Sequence, residues 1–480
     1  MQTTRRSFLC QTALAASSLT LGNCATARRP VKRNAKPNIV IFFTDDHGYA
    51  DLSCAGSPDI RTPHIDAIAA DGARLTSWYS NSPVCSASRA ALLTGRYPGN
   101  TGVRGVLPGH REAAGLLPEI PTIASALKPL GYRTALAGKW HLGVLEQCRP
   151  HNHGFDEWFG FMAGCIDFYS HIFYWHMAGA NGKAPVHDLW KNNEEIWENG
   201  RYFTDLITEH AVDFVNRAAS SGDPFFLYVP YNAPHYPMHA PPEYMNRFGH
   251  LPWERQVMAA MLSCVDDSIG AVVNELKRQG VYDNTLIVFT SDNGPSREVR
   301  NWLDGNEEPY YGGSQGDQKG HKFSLYEGGI RVPGVVSWPG HIPAGQVLDA
   351  PVASMDVFPT LLRAAGGDPG AYTIDGLDVM PVLTRQALSP HGDLFWEHQG
   401  QTAVRRGKWK LVLHGTLVEG APPEDDVHLS NLDEDPGEKV NLVNREPDIA
   451  AELRSAAESW RARIDQRWET EWKPKLEAAS

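Results

Sequence analysis

The chain has 480 residues, of which 42% are hydrophobic and 10% aromatic, enough for one large core and a smaller domain. Its formal net charge is −12 and its pI is near 5.9, which excludes a general electrostatic attraction to nucleic acid. An anionic ligand must therefore be bound by a local cluster of cations.

The first 27 residues have the pattern of an export signal. Arg5 and Arg6 precede a short apolar run that ends in Ala-Thr-Ala at residues 25–27, which is typical of a signal for the twin-arginine export machinery. We therefore expect a periplasmic or extracellular protein, with residues 28–36 as a linker. The apolar run is too short for an ordinary transmembrane helix. The sequence "LGNC", which ends at Cys24, leaves a lipid anchor there as the alternative to cleavage after residue 27.

Cleavage of this signal would remove two of the seven cysteines and leave an odd number. The remaining five are Cys54, Cys85, Cys148, Cys165 and Cys264. None has C-x-x-C spacing, so a zinc site or a thioredoxin-like redox site is not indicated. An odd cysteine in an exported protein suggests that one of them has a special role, and Cys85 is the candidate.

Strand-like and helix-like segments alternate along residues 37–384. The apolar runs "KPNIVIFFTDDHG" and "NTLIVFTSDNG" are rich in Ile, Val and Phe and end in Asp-Gly signals, which predicts buried parallel strands. Helical patterns such as "FTDLITEHAVDFVNRAASS" precede further strand-like segments such as "PFFLYVPYNAPH". This alternation predicts an α/β fold with a large mixed, mostly parallel sheet sandwiched by helices.

The pattern changes after about residue 385. The segments "GDLFWEHQGQTAVRRGKWKLVLHG" and "DDVHLSNLDEDPGEKVNL" predict antiparallel strands with tight turns, and "EPDIAAELRSAAESWRARIDQRW" predicts an amphipathic helix. We therefore expect residues 385–480 to form a smaller α+β subdomain, packed on the main domain of residues 37–384.

Two acidic clusters follow the two strongest strand patterns. Asp45 and Asp46 end the first, and Asp292 and Asn293 end the late one. Ligands of open α/β sheets bind at the carboxyl ends of strands, and an all-oxygen set selects Ca²⁺ or Mg²⁺. Each acid alone could instead cap a helix or turn. The occurrence of two clusters at two strand ends favours a metal site.

Cations and imidazoles follow other predicted strands and turns. Lys139 and His141 are two residues apart in "GKWHLG", and His235 follows the strand-like "FFLYVP". Lys322 precedes the Gly-Gly turn of "GHKFSLYEGGIRVP". Each would by itself be a solvated side chain or a local hydrogen-bond partner. Together with a metal, they would suit a tetrahedral anionic ester.

The segment "NSPVCSASRAALLTGRYPG" places Cys85 at the start of a predicted helix. Arg89 follows one turn later on the same face. This segment and the blocks "TDDHG", "AGKWHLG", "APH", "TSDNG" and "EGGIRVP" resemble, in this order, those of the formylglycine-dependent sulfatases of the alkaline-phosphatase superfamily. The resemblance extends from about Pro37 to the closing helix. Ala87 occupies a signature position at which the family has Pro or Ala.

The resemblance implies an alkaline-phosphatase-like fold, with residues 37–384 as the catalytic domain. It implies that a formylglycine-generating maturase oxidises Cys85 to Cα-formylglycine, whose hydrate is the nucleophile. It also implies one divalent cation, most often Ca²⁺ with Mg²⁺ as the alternative. The residues that match the family's metal ligands are Asp45, Asp46, Cys85, Asp292 and Asn293.

The same resemblance assigns roles to the basic residues. Arg89 would hold the hydrate, and Lys139 and Lys322 would clamp the sulfate. His141 would act as the base that helps to release sulfate, and His235, with Lys322, would protonate the leaving alcohol. The family's serine near the sulfate has no clear match, although Gly164 or Cys165 falls near its place.

The aromatic-rich segment 165–194 is similar to that of N-acetylgalactosamine sulfatases, so we expect a sulfated mono- or oligosaccharide substrate. His398 and the loop 301–321 are candidates to line the pocket. Two alternatives remain at this stage. One is a phosphonate or phosphodiester hydrolase that uses the same modified cysteine, and the other is an inactive exported glycan-binding protein.

Overall fold

The structure is a computed structural model that describes residues 36–174, 185–297, 299–301, 306–309 and 311–479. The predicted export signal, with Cys24 and the alternative of a lipid anchor, lies outside these residues. The predicted linker does too, except for its last residue.

The described residues form short and long strands throughout the chain. The strands are β1 (Asn38–Thr44), β2 (Ala73–Leu75), β3 (Trp78–Tyr79), β4 (Arg133–Lys139), β5 (Glu157–Phe161), β6 (Ile172–Phe173), β7 (Val186–His187), β8 (Trp190–Lys191), β9 (Glu194–Glu195), β10 (Phe225–Pro230), β11 (Thr285–Ser291), β12 (Val299–Asn301), β13 (Asn306–Pro309), β14 (Gly334–Ser337), β15 (Gln346–Leu348), β16 (Val352–Ala353), β17 (Asp393–His398), β18 (Gln401–Arg406), β19 (Trp409–Gly415) and β20 (Asp425–Asn431).

Helices alternate with these strands. They are α1 (Pro63–Ala70), α2 (Cys85–Thr94), α3 (Ile123–Leu127), α4 (Phe203–Ser221), α5 (Pro242–Met245), α6 (Trp253–Arg278), α7 (Glu327–Ile330), α8 (Val357–Ala364), α9 (Met380–Arg385), α10 (Pro447–Arg467) and α11 (Lys473–Ala479). A π-helical turn, Trp468–Trp472, joins α10 to α11.

The main sheet has ten strands in the order β15-β2-β14-β11-β1-β10-β4-β5-β8-β9. The five central strands, β11 to β5 in this order, are parallel. Antiparallel pairs join β14 to both β11 and β2 and continue the sheet through β8 and β9. The predicted mixed, mostly parallel sheet is therefore confirmed.

Both faces of this sheet are covered, which explains the continuous apolar runs of its central strands. In β1, Val40 and Phe42 lie in a core with residues of α4 and α6. Ile41 and Phe43 point to the opposite face, where the core includes residues of α2, α3 and α8. Because successive side chains of a strand alternate between faces, every residue of β1 must be apolar or otherwise satisfied.

The C-terminal strands β17 to β20 form a four-stranded antiparallel sheet. Helix α10 packs on it through Leu453 and Ala457, which share a core with Val404 and Leu411. This is the predicted α+β subdomain. The boundary at residue 385, between α9 and β17, stays a prediction.

Among the described helices, α6 has the length and composition of a membrane-crossing segment, but 83% of its apolar window is buried within the protein. A central core helix has the same properties. We therefore infer no membrane span from α6.

Candidate active site

The polar side chains of the site follow neighbouring parallel strands at one edge of the main sheet. Strands β1 and β11 are paired up to Thr44 and Ser291, so the residues that follow them lie side by side. Strand β10, and then β4, lie on the other side of β1 and end at the same edge. These four strand ends carry Asp45, Asp46, Lys139, His141, His235, Asp292 and Asn293.

Cys85 is the first residue of α2 and its side chain is buried against the end of β1. The Cys85 Sγ lies 3.5 Å from Asp45 Oδ1. Arg89, one turn later, donates from Nη2 to Asp292 Oδ2 at 2.7 Å and lies 3.4 Å from Asp45 Oδ2. The N-terminal end of a helix favours negative charge, so an oxyanion formed at residue 85 would be stabilised from two sides.

Two buried lysines complete a network of charges around these carboxylates. Lys139 Nζ donates to Asp45 Oδ2 at 2.5 Å. Lys322 Nζ donates to Asp46 Oδ2 at 3.0 Å and lies 3.2 Å from His235 Nε2. His235 Nδ1 is 2.8 Å from the Tyr236 carbonyl oxygen, which can only accept. The Nδ1 therefore carries the proton, and Nε2 accepts from Lys322.

Asn293 supplies the observation that bears most directly on a metal. Its Nδ2 donates to Asp46 Oδ1 at 2.7 Å, but its buried Oδ1 has no hydrogen-bond partner. Ligand atoms of Asp45, Asp46, Cys85 and His235 all lie within 4.8 Å of one another. A buried carbonyl oxygen without a donor, beside converging carboxylates, fits a hard divalent cation.

The carboxylates of the cluster differ in their affinity for protons. Burial alone would raise the pKa of Asp45, but the charges of Lys139, Arg89 and Lys322 outweigh burial and lower it. Burial, together with the charge of Asp45, raises the pKa of Asp292. The cluster thus holds an ionised carboxylate beside a more weakly acidic one, which is typical of functional sites.

The two imidazoles and the thiol at the Cys85 end of the cavity are uncharged. Burial, with the charge of Lys139, lowers the pKa of His141 well below its ordinary value, and burial with Lys322 does the same for His235. Burial raises the pKa of the Cys85 thiol well above its ordinary value. An unmodified Cys85 would therefore remain a protonated, weakly nucleophilic thiol.

His141 lies at the rim of the cluster with one ring nitrogen available. Its Nε2 is 3.1 Å from the Leu107 carbonyl oxygen, and its buried Nδ1 has no hydrogen-bond partner. Gly164 makes room for this ring, because a Cβ at position 164 would lie 2.9 Å from two of its atoms. Gly164 and Cys165 both line the cavity, but neither supplies a serine hydroxyl.

A cavity of about 840 Å³ opens above the cluster. Cys85, His141, His235 and Lys322 line one part of it, and residues of the C-terminal subdomain line another. His398 is one of these, as the sequence suggested. Residues 311–321 are not among the lining residues, and the side chains of 301–310 lie outside those described.

Arg104 also lines the cavity, and the sequence analysis did not identify it. Arg104 donates from Nε to Glu397 Oε1 at 3.0 Å and also pairs with Asp465. Its guanidinium lies 5.2 Å from the ring centre of Trp468. These residues come from segments about 300 residues or more apart, and nothing in the local sequence around Arg104 marks it as part of the site.

Comparison with known proteins identifies the family. The family model named Sulfatase matches residues 37–367. The chain belongs to the sulfatase family. A second model, N-sulphoglucosamine sulphohydrolase, C-terminal, matches residues 320–462, which include most of the C-terminal subdomain.

Individual sulfatases match over most of the chain. N-acetylgalactosamine-6-sulfatase of Mus musculus is 34% identical over 408 residues, which cover 78% of this chain and 72% of that protein. Arylsulfatase A of Bos taurus is 32% identical over 462 residues, which cover 88% and 86%. The crystal structure of Ps i-CgsB in complex with k-i-k-neocarrahexaose is 33% identical with a TM-score of 0.78, covering 89% and 93%.

These matches show that the protein is a sulfatase, an enzyme that hydrolyses sulfuric esters. The alternatives of a phosphonate or phosphodiester hydrolase and of an inactive glycan-binding protein thereby lose their support. The structure also links nine of the ten predicted site residues through contacts and places the tenth, His141, beside them in the cavity.

Proposed function

We propose that this sulfatase removes sulfate from a sulfated mono- or oligosaccharide, with a formylglycine hydrate made from Cys85 as the nucleophile. One observation carries the proposal. Cys85 lines the cavity, and its Sγ contacts Asp45. Arg89, one helical turn later, contacts the same carboxylate. The same cluster holds two lysines and an oxygen-rich set that fits a cation.

The modification solves a chemical problem at residue 85. A simple serine or cysteine that attacked sulfur would be left as a stable sulfated adduct. An aldehyde hydrate has two hydroxyls on one carbon. One hydroxyl attacks sulfur and expels the alcohol, and the other then loses its proton as the carbonyl re-forms and sulfate leaves. Water adds to the aldehyde and restores the hydrate, so the nucleophile is regenerated. A formylglycine-generating maturase is the required partner.

The basic side chains have positions that suit these steps. Lys139 and Lys322 present ammonium groups that would hold the sulfate oxygens. Lys322 shares a hydrogen bond with His235 Nε2, so the pair holds a proton for the leaving alcohol. His141 Nδ1 has no protein partner and would accept the proton released when the carbonyl re-forms. Arg89 would hold the hydrate oxygen.

The metal site is part of the same proposal. Asp45, Asp46, Asp292 and Asn293 would hold one divalent cation, Ca²⁺ in our proposal with Mg²⁺ as the alternative, because all of them offer oxygen. Such a cation supplies positive charge that lowers the pKa of a hydroxyl and stabilises a sulfate. Asn293 Oδ1 is buried without a hydrogen-bond partner, and coordination of the cation would satisfy it.

The substrate class rests on the relatives and on the cavity. Relatives are named for N-acetylgalactosamine-6-sulfate, and one structural neighbour was crystallised with a neocarrahexaose. A cavity of about 840 Å³ is in the size range of small-ligand sites and accommodates a sugar. We also propose export by the twin-arginine machinery to the periplasm or outside the cell, with a lipid anchor at Cys24 as the alternative.

The test combines mass spectrometry with a substrate panel. The protein is co-expressed with a formylglycine-generating enzyme, and the peptide that contains residue 85 is analysed for aldehyde in place of thiol. Free sulfate is then measured from 4-nitrocatechol sulfate, N-acetylgalactosamine 6-sulfate, galactose 6-sulfate and carrageenan oligosaccharides. We expect the aldehyde and release from at least one sugar. Full activity in a preparation that retains only cysteine at position 85 would refute the proposal.

A further inference from the structure

The C-terminal subdomain contributes one wall of the cavity, which we call the subdomain wall. It consists of Glu397, His398, Gln399, Glu419, Arg461 and, from the π-helical turn, Trp468. Nothing in the chemistry at residue 85 uses these side chains. Their position in the same cavity as Cys85 means that they face whatever group carries the sulfate.

His398 differs from its neighbours in this wall because its hydrogen-bonding capacity is unused. It is the last residue of β17, its exposed fraction is 3%, and both of its ring nitrogens are buried without a hydrogen-bond partner. Its ring packs against Phe323, with ring centres 5.6 Å apart. Buried polar groups in folded proteins normally have partners, so a ring with two free nitrogens that lines a cavity indicates a ligand.

Glu397 and Arg461 of the wall are already paired with each other and with the neighbouring Arg104 and Asp465. Glu397 accepts from Arg104 Nε at 3.0 Å and lies 3.4 Å from Arg461 Nε. Asp465 also accepts from Arg461, at 3.0 Å. These two arginines are therefore occupied by two carboxylates, and the wall does not offer an uncommitted cation to a second sulfate group.

We propose that His398 is a specificity-determining residue, which hydrogen-bonds a free hydroxyl of the sugar that carries the sulfate. This inference rests on the proposed action on a sulfated sugar. A hydroxyl is both a donor and an acceptor, and a neutral imidazole offers one N–H and one lone pair. The two groups therefore match, whereas a sulfate or carboxylate offers acceptors only.

The electrostatic state of His398 supports a neutral partner. Burial, with a contribution from the charge of Arg461, lowers the pKa of His398 to about 4. The ring is therefore uncharged at neutral pH and has no charge with which to attract an anion. A sugar hydroxyl removed from water into this wall would recover its hydrogen bond from His398, and a sugar without that hydroxyl would leave the imidazole unpaired.

Phe323 connects this contact to the sulfate end of the cavity. It directly follows Lys322 in the chain and packs against His398. A sugar whose sulfate is held by Lys322 would thus have its ring beside the subdomain wall. We infer that His398 selects which hydroxyl pattern is compatible with placing the ester at residue 85.

The experiment compares two variants on two classes of substrate. His398→Phe retains an aromatic ring against Phe323 but removes both nitrogens, and His398→Gln restores a donor and an acceptor. We measure kcat/KM on 4-nitrophenyl sulfate, which has no hydroxyl group, and on the sugar sulfate of the panel that the wild type hydrolyses fastest. His398→Phe should lose about ten- to hundredfold on the sugar and less than about threefold on the aryl ester. His398→Gln should regain part of the loss on the sugar.

His428→Phe is the matched control, since His428 is also buried in the C-terminal sheet but is not among the residues that line the cavity. Its ratio of sugar to aryl activity should equal that of the wild type. Parallel losses on both substrates in His398→Phe, or no loss on the sugar, would overturn the role of His398 and leave the proposed function intact. A wild type that hydrolyses the aryl ester but no sugar would instead refute the proposed substrate class, and this inference with it.

Discussion

Among the described residues, two of the clusters of buried charged side chains are built from the same kinds of residues. The active-site cluster lies at the ends of the parallel strands. It consists of the charged residues Asp45, Asp46, Asp292, Arg89, Lys139 and Lys322, with the uncharged Cys85 and Asn293 in contact with them. The domain cluster lies between α7 and the C-terminal subdomain and consists of Tyr79, Glu327, Arg405, Lys410 and Glu438.

The charged side chains of the domain cluster are buried and paired within the protein. Lys410 Nζ lies 2.9 Å from Glu327 Oε1 and 3.2 Å from Glu438 Oε1. Tyr79 donates from its hydroxyl to Glu327 Oε2 at 2.7 Å. The side chains of Glu327, Lys410 and Glu438 have an exposed fraction of 0%, and Arg405 is buried as well. None of these four residues lines the cavity.

The active-site cluster has the same burial but faces a cavity and contains an unused acceptor, Asn293 Oδ1. In the domain cluster, Glu327 of the main domain pairs with Lys410 of the subdomain, and the Glu327 backbone N–H donates to Glu438, so these contacts join the subdomain to the main domain. Buried ion pairs alone therefore do not mark a catalytic site. What distinguishes the active-site cluster is its access to a cavity.

Of the variants that distinguish the two clusters, a substitution of Cys85, which lies in the active-site cluster, should lower activity most. Cys85→Ala removes the precursor of the nucleophile and should lower kcat/KM by about 10⁴-fold or more, with little change in Tm. Cys264→Ala, in a buried position of α6 that does not line the cavity, is the control and should retain activity. Turnover of Cys85→Ala at the wild-type rate would contradict the assigned nucleophile.

Removal of the cation should have the next largest effect. Dialysis against a chelator should lower kcat/KM by more than about a hundredfold and should also lower Tm, because a cation that binds only the folded state stabilises it. Added Ca²⁺ should restore both. In Asn293→Ala the rise of Tm with Ca²⁺ should be smaller than in the wild type. An identical Ca²⁺-dependent rise in that variant would show that the cation binds elsewhere.

A matched pair of lysine variants tests whether one cluster serves catalysis and the other serves stability. Lys139 and Lys410 are both fully buried and paired with carboxylates. Lys139→Met should lower kcat/KM by about 10²- to 10³-fold, because it removes a sulfate ligand. Lys410→Met should lower the free energy of unfolding by about 3–5 kcal/mol, because it removes the ammonium group shared by the buried carboxyl groups of Glu327 and Glu438.

The readouts of this pair are kcat/KM and the midpoint of thermal unfolding, both measured with Ca²⁺ present. At a temperature where Lys410→Met is folded, its kcat/KM on 4-nitrocatechol sulfate should stay within about threefold of the wild type. If Lys410→Met lost as much activity as Lys139→Met while folded, the proposed division between the clusters would be wrong.

The smallest expected effect is a change of thermal stability with pH, which depends on Glu438 in the domain cluster. Burial, with the charge of Glu327, raises the pKa of Glu438 to about 7 from an ordinary value of 4.5, although Lys410 acts in the opposite direction. The folded state therefore holds this proton more tightly than the unfolded state. The stability that this proton contributes is complete below about pH 4.5 and is lost as pH rises through 7.

Glu438→Gln removes this titration while it retains a neutral side chain of similar shape. The Tm of the wild type, compared with that of Glu438→Gln, should fall between pH 5 and pH 8. Thermal unfolding of both proteins at several pH values measures this difference. A difference that stays constant from pH 5 to pH 8 would mean that Glu438 is ionised in the folded protein throughout this range.

Much of the fold was predictable because its signals are local. The runs around β1 and β11 are apolar at every position, and such runs fit a strand that is covered on both faces. The two acidic pairs that follow them had to meet, since neighbouring parallel strands end at one edge of the sheet. The ordered motifs then indicated the family, which the matching family model confirms.

The subdomain wall was less predictable for a physical reason. His398 was suggested as a lining residue, but its two unpaired ring nitrogens were not, since pairing depends on every segment that packs around a side chain. Arg104 meets Glu397 across 293 residues of sequence, and an arginine in a loop has no periodic pattern that would predict its partner.

The sequence by itself determined the alternation of strands and helices, the oxygen-bearing side chains at two strand ends, and the Cys85–Arg89 pair one helical turn apart. These features depend on residue type and on spacing within a few residues. Only the tertiary structure decided that Lys410 joins the subdomain to Glu327, that Asn293 Oδ1 lacks a donor, and that His398 faces the cavity. Those properties arise from contacts between distant segments, and such contacts are set by how whole surfaces pack and not by any local pattern.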